Sequence, residues 1–244
     1  MKFENLTWVK FKELSESIKT VIIPWGALEA HGTHLPLSTD TIIANHIAKL
    51  ISEKVNAFLL PPIPIGYSFH ASNFPGTLSF TEETLQQMAF DIAKNLHSYN
   101  IQTIIFISGH GGNVEPLEEI AEKIRDKFKI DVLVIFLYST SDELLEKIEN
   151  IRTAKSVSNI IHAEEIETSL MLVISPKLVH MEDAKIEYPK VSNEHFRYEK
   201  KLGDLTKYCV FGDPTVASIE KGNQLIEIIV DDVLKMIKRF HISP

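Results

Sequence analysis

Apolar residues in this chain fall either in short unbroken runs or in stripes spaced three and four apart. Val21-Ile22-Ile23-Pro24-Trp25-Gly26 is an unbroken run closed by Gly and reads as a buried strand. Behind Thr39-Asp40-Thr41, the spacing of Ile42, Ile43, Ile47 and Leu50 predicts a helix capped by Ser38 or Thr39. Ala57-Phe58-Leu59-Leu60 predicts a second strand, stopped by Pro61-Pro62. Residues 64–77 are rich in Gly, Pro, Ser and aromatics and read as a long loop, a kind of segment that is often functional. A helix starts at Thr81-Glu82-Glu83 and runs to about Ser98.

The β-branched run 101–108 is the clearest strand. A Gly-rich turn, a helix over 114–127 and a strand over 131–137 follow it. That succession is a βαβ unit, for which right-handed crossover is expected. Further helices are predicted over 143–151, 164–174 and 216–240, while the mixed polar segment 176–205 receives no assignment. No repeat, low-complexity tract or linker interrupts the chain, so residues 1–244 are expected to form a single α/β domain with a mostly parallel sheet.

Composition narrows the class. The 244 residues are 44% hydrophobic and 24% charged, ordinary for a globular domain with a full core. Asp and Glu outnumber Lys and Arg by 33 to 25, a net charge of −8 that weighs against nucleic-acid or anionic-membrane partners. The lone Cys209 rules out an intrachain disulfide framework or a cysteine-rich zinc site. No signal-peptide h-region and no apolar run of membrane-spanning length stand out, so a cytoplasmic location is expected.

Three polar stretches sit beside the apolar runs: Glu29-Ala30-His31-Gly32-Thr33-His34 with Asp40, Gly109-His110-Gly111-Gly112-Asn113, and His162-Ala163-Glu164-Glu165-Ile166-Glu167. Glu29 and His31, two apart on an extended segment, point the same way. Asp40 can fold back over the same point, or simply serve the helix start. A carboxylate–histidine–carboxylate set suits Zn²⁺, Mn²⁺ or Fe²⁺. His110 follows the strongest strand in a turn that lacks the Lys and Ser/Thr of a phosphate loop, which favours a metal ligand. Glu164 and Glu165 suit the positive end of a helix dipole. Glu167 adjoins the apolar run Leu170-Met171-Leu172-Val173, and a carboxylate there needs a metal or a basic partner. His162 is a candidate general acid/base. His34 is placed behind the first stretch. His46 and His97 fall on helical patterns, while His180, His195 and His241 have no supporting context.

Trp25-Gly26-Ala27-Leu28-Glu29-Ala30-His31-Gly32-Thr33-His34-Leu35-Pro36-Leu37 with Asp40 resembles the signature of the creatininase (creatinine amidohydrolase-like) family. Phe74-Pro75-Gly76-Thr77, Gly109-His110-Gly111-Gly112-Asn113, Glu167-Thr168-Ser169-Leu170-Met171 and Gly212-Asp213-Pro214-Thr215 with Glu220-Lys221-Gly222 resemble its later motifs, in order. The resemblance implies a three-layer α/β/α sandwich, two divalent ions per chain and a homo-oligomer, a hexamer built from dimers. It implies hydrolysis of a non-peptide C–N bond in a cyclic amide or formamide. Glu29, His31, Asp40 and His110 match the family's metal ligands, with Asp40 bridging. His162 matches a histidine near the substrate, and Glu167 an acidic motif position.

Creatininase proper carries a glutamate ligand where this chain has Gly112, so Glu167 is the candidate replacement. It also lines its pocket with tryptophans near positions where this chain has Tyr138-Ser139-Thr140 and Ser158-Asn159-Ile160. The Gly-Gly form is closer to formylaminopyrimidine nucleotide deformylases of flavin and deazaflavin synthesis and to peptide-trimming relatives. On that reading Asn113 holds an oxyanion and Tyr67 and Phe74 stack on a flat small-molecule amide. Two alternatives of another class are a non-catalytic metal-binding protein and a nucleotide-binding module using the Gly-rich turn.

Overall fold

The computed structural model describes residues 1–158, 160–191 and 201–240. Strands β1 (Thr20–Trp25), β2 (Ala57–Leu59), β3 (Thr103–Ser108) and β4 (Asp131–Phe136) form one sheet in the order β2-β1-β3-β4, with every neighbouring pair parallel. The helices are α1 (Trp8–Leu14), α2 (Thr39–Ser52), α3 (Glu82–Ser98), α4 (Val114–Phe128), α5 (Asp142–Ile151), α6 (Glu165–Ile174) and α7 (Ile219–Arg239).

Alternation along each strand builds the layers. Val21, Ile23, Trp25, Ile104, Phe106 and Val132 pack with Leu85 and Ala89 of α3 and Leu117 and Ile120 of α4. Ile22, Ile105, Ile107, Leu133 and Ile135 pack on the other face with Ile43 and Ile47 of α2, Leu170 of α6 and Ile229 of α7. The result is the α/β/α sandwich. Burial of both faces is why the strands read as unbroken apolar runs. Each fully buried Ile or Phe contributes about 1.5–3 kcal/mol over leaving it exposed.

β1 and β3 are adjacent, but their exit loops lead opposite ways, through α2 to β2 and through α4 to β4. α2 packs on one face and α4 on the other. Ligands of open α/β sheets bind in the crevice that opens at such a reversal.

Several boundaries differ from expectation. β3 begins at Thr103, two residues later than the apolar run, because Gln102 and Thr103 amides both donate to the Lys19 carbonyl. The last helix begins at Ile219, after a 3-10 turn at Pro214–Val216. α1 was not anticipated. None of its residues is buried, so its apolar stripe is weak. Thr7 caps it through Lys10 N–H, and Phe11 holds it against Phe3 and Phe58. Thr81 caps α3 as expected, whereas Ser38 makes no side-chain cap to α2. Within 176–205 the described residues form 3-10 turns at Pro176–Leu178, Met181–Asp183 and Leu202–Asp204. His195, His241 and Asn159 lie outside the described residues. No described helix is long and apolar enough to cross a membrane.

Candidate metal centre

The site lies at the carboxyl edge of the sheet, where the β1 and β3 loops part. The β1 loop is pinned by Glu29 N–H donating to the Leu37 carbonyl (3.0 Å), Ala30 N–H to Thr77 Oγ1 (3.1 Å) and Gly32 N–H to the Cys209 carbonyl (3.0 Å). Gly32 has φ +64°, and a Cβ there would stand 2.8 Å from His34 Nδ1. Asp40 occupies the first turn of α2, and the β3 exit at Gly109 passes so close that a Cβ would overlap the Asp40 carbonyl. Across the crevice, Glu167 lies in the first turn of α6 and accepts the Ala163 N–H at 2.6 Å. Ala163 is fully buried at φ +50°. That left-handed turn costs a residue with a Cβ about 1–2 kcal/mol, and it aims the amide at Glu167.

These loops bring together every metal ligand expected from the sequence. His31 Nε2 lies 3.0 Å from Asp40 Oδ1 and 3.6 Å from Glu167 Oε2. His110 Nδ1 lies 3.1 Å from Asp40 Oδ2 and 3.2 Å from Glu29 Oε1. His162 Nδ1 lies 3.6 Å from Glu29 Oε1. Glu29, Asp40 and His110 form one set of potential donor atoms within 4.8 Å of one another, and His31, Asp40 and Glu167 form a second. Glu29, His31 and His162 form a further set at the same separation.

The outer nitrogen of each histidine is committed to a carbonyl, which can only accept. His31 Nδ1–H donates to the Glu29 carbonyl (3.1 Å), His110 Nε2–H to the Tyr67 carbonyl (2.9 Å) and His162 Nε2–H to the Ala30 carbonyl (2.9 Å). The other nitrogen of each ring therefore faces the carboxylates and carries the lone pair whenever the ring is neutral, the arrangement that outer partners impose on metal-ligating histidines.

Three buried carboxylates so close together need positive charge. Among the described residues, the positive partners within reach of them are imidazoles. Burial pushes His31 down, but Asp40 and Glu167 outweigh it and lift its pKa to about 10. Burial opposes His110 in the same way, and Glu29 and Asp40 hold it well above the usual histidine range. Burial raises Asp40, yet the two histidines hold it well below the usual carboxylate range. Burial, with the Asp40 charge, pushes Glu167 up to about 8 against the pull of His31. His162 goes the other way, to about 4, through burial and the His31 charge.

His31 Nε2 and Asp40 Oδ2 are buried without a hydrogen-bond partner among the described residues, although charged groups stand near 3 Å away. Orphaned donors and acceptors are rare in interiors. Contact without hydrogen-bond alignment fits atoms grouped around a cation, so the set suits divalent ions.

A cleft of about 360 Å³ opens onto the centre, bordered by Glu29, Asp40, His110, His162 and Glu167, with Tyr67, Phe136 and Phe211 as aromatic walls. Ser68 also borders it. It is 2% exposed, and its hydroxyl has no partner among the described residues. Nothing in a Ser-rich loop marked this residue in advance.

Two expectations are not met by the geometry. Asn113 does not border the cleft. It is fully buried, its Nδ2 donates to the Gly26 carbonyl (2.9 Å) and its Oδ1 accepts the Tyr67 N–H (2.9 Å), so it is drawn away from any oxyanion there. Phe74 packs instead against the small cluster of Ala30, Ala71 and Leu202. His34 lies behind the centre, with Nε2 2.9 Å from Thr168 Oγ1. The His97 ring lies tilted against Phe128, 5.3 Å between centroids. Cys209 is a buried thiol 3.3 Å from His162 Nε2. Neither tryptophan reaches the cleft: Trp25 is in the core and Trp8 is exposed on α1.

Known proteins bear on this arrangement. The "Mycofactocin precursor peptide peptidase" of Mycolicibacterium smegmatis is 28% identical over 94% of this chain and 88% of its own length. The creatinine amidohydrolase of Pseudomonas putida is 24% identical over 96% and 95%. A formylaminopyrimidine ribonucleotide deformylase, "2-amino-5-formylamino-6-ribosylaminopyrimidin-4(3H)-one 5'-monophosphate deformylase", of Methanococcus voltae is 25% identical over 90% and 89%. Among solved structures, "Creatininase Mn" superposes with a TM-score of 0.89 at 22% identity, covering 100% of this chain and 99% of that one. A mutant creatininase of "Zn-Zn type" gives 0.87, covering 100% and 98%. The creatininase family, described as creatinine amidohydrolase, matches residues 4–237, and this chain therefore belongs to the creatininase family of hydrolases.

Proposed function

We propose that the chain is a two-metal amidohydrolase acting on a small formamide carried by a flat heterocycle, of the formylaminopyrimidine ribonucleotide class. The observation that carries the two-metal reading is Asp40. Its Oδ1 faces His31 and its Oδ2 faces His110, so one carboxylate belongs to both donor sets. Glu29, Asp40 and His110 would hold one ion, and His31, Asp40 and Glu167 the other. Divalent ions bound there supply Lewis acidity toward a carbonyl and acidify water to a pKa of about 7.

The chain's own groups do the rest. His162 presents Nδ1 to the site because Nε2–H is held by Ala30, so it can take a proton from the attacking water and hand it to the departing nitrogen. The aromatic walls accept a flat ring, and the Ser68 hydroxyl offers it a hydrogen bond. The cleft lies at the small end of the range for small-molecule sites. The Methanococcus voltae deformylase supports the formamide. The absence of tryptophan from the described cleft separates it from creatininase proper.

Trimming of a peptide end is the second reading. It is favoured by Tyr67, which borders both the cleft and an adjoining groove formed with Phe69, Ser72 and Phe80, a path along which a longer substrate could continue. The mycofactocin peptidases share that sequence likeness.

The test is elemental analysis of protein purified without chelator, followed by hydrolysis of creatinine, simple formamides, the formylaminopyrimidine ribonucleotide and short peptides, before and after metal stripping. The expected result is about two ions per chain and metal-dependent release of formate. Release of an amino acid from peptides would replace the substrate while keeping the centre. No stoichiometric metal after reconstitution would overturn the hydrolytic reading.

A further inference from the structure

We infer that Asn113 is a positioning residue that fixes the ring of His110 through the Tyr67 peptide. The inference rests on reading Glu29, Asp40 and His110 as a metal site. Asn113 Oδ1 accepts the Tyr67 N–H at 2.9 Å, and the carbonyl of that same residue accepts His110 Nε2–H at 2.9 Å. The peptide groups on either side of Tyr67 thus connect a fully buried amide to the outer nitrogen of a ligand. Asn113 Nδ2 is anchored in turn on the Gly26 carbonyl at 2.9 Å and Ser108 Oγ at 3.3 Å, at the ends of β1 and β3. The rigid sheet therefore determines where the Tyr67 carbonyl stands, although Tyr67 itself lies in a long loop.

Two glycines mark the same path independently. A Cβ at Gly66 would overlap Asn113 Oδ1 and stand 2.7 Å from the Gly26 carbonyl. A Cβ at Gly112 would overlap the Tyr67 carbonyl and stand 2.5 Å from His110 Nε2. Neither glycine has a positive φ, so space and not backbone conformation requires them. Both lack a side chain at the place where the relay passes. This also bears on the missing carboxylate at position 112, since any side chain there would displace the carbonyl that orients His110.

Outer partners of ligating histidines fix tautomer and aim, and their loss typically lowers metal affinity by about 10–100-fold. The experiment loads Co²⁺ into the stripped protein and reads two quantities, affinity by chelator competition and the visible ligand-field spectrum. Asn113→Ala should lose about 10–100-fold in affinity for one ion of the pair and shift its spectrum, leaving the other ion unchanged. Asn113→Asp keeps an oxygen for the Tyr67 N–H but loses the donor to the Gly26 carbonyl, so its affinity should fall between that of Asn113→Ala and that of wild type. Wild-type affinity and spectrum in Asn113→Ala overturn the relay. So does an Asn113→Asp variant as impaired as Asn113→Ala, because the bond to the Tyr67 N–H, which links Asn113 to His110, would then contribute nothing. If Asn113→Ala does not fold, Gly66→Ala displaces the same Oδ1 and is read by the same two criteria. A wild-type chain that takes up no Co²⁺ would instead sink the metal site itself, an outcome distinct from failure of the relay.

Discussion

The two donor sets share Asp40 but differ in shelter. Glu29, Asp40 and His110 border the cleft, and the His110 side chain is 13% exposed. In the other set the His31 side chain is 0% exposed and does not border the cleft, and only Asp40 and Glu167 reach its wall. The difference follows from origin. His110 stands on an open Gly-rich turn, whereas His31 is covered by its own loop and by α6. An ion in the first set would meet substrate and exchange with solvent, while an ion in the second would be held behind it.

The largest test removes what the sets share. Asp40→Ala should abolish uptake of both ions and lower turnover by about 10³-fold or more, since the electrostatic assistance of bound metal amounts to several kcal/mol. Full activity in that variant would break the comparison at its root. Next, Glu167→Gln should leave one ion per chain by elemental analysis, with the survivor in the set that borders the cleft. Loss of both ions would show that the two sets are not separable.

A smaller effect is expected from a chelator time course on the wild type. It should proceed in two phases, with the ion held by His110 leaving first, and a single phase would erase the contrast in shelter. The smallest effect lies at the strained turn. Ala163→Gly relieves the φ of +50° but adds backbone freedom to the unfolded chain, so melting should report a change within about 1 kcal/mol. Ala163→Val should cost about 1–3 kcal/mol, because a β-branched side chain resists that conformation.

Much of this fold is legible in the residue pattern, and the reason is physical. β1, β3 and β4 are buried on both faces or nearly so, which writes them as continuous apolar runs. α1 was not legible because Phe11 and Leu14 contact the core while Trp8 and Val9 face outward, too few positions to make a stripe. In the site, Glu29, His31 and His110 stand out because they follow strands directly. Glu167 stands out because a carboxylate beside Leu170 and Met171 must be buried. Roles that depend on distant partners were hidden. The type of Asn113 invited an oxyanion role, but its partner amide at Tyr67 is 46 residues away. The exposed or buried state of the Ser68 hydroxyl is likewise set by how the 64–77 loop folds.

The donors also reach the crevice at different moments in the life of the polypeptide. Glu29, Asp40 and His110 have all been added to the chain before α4 is made, whereas the second set waits for Glu167, 57 residues after His110. Strands β1 and β3 cannot pair until β3 exists, and α6 then closes over them. On the two-metal reading, a growing chain could thus hold an ion at the first donor set before it could hold one at the second. On that reading the second set would mark a chain folded through α6, and a product truncated before Glu167 would carry a single, readily exchanged ion.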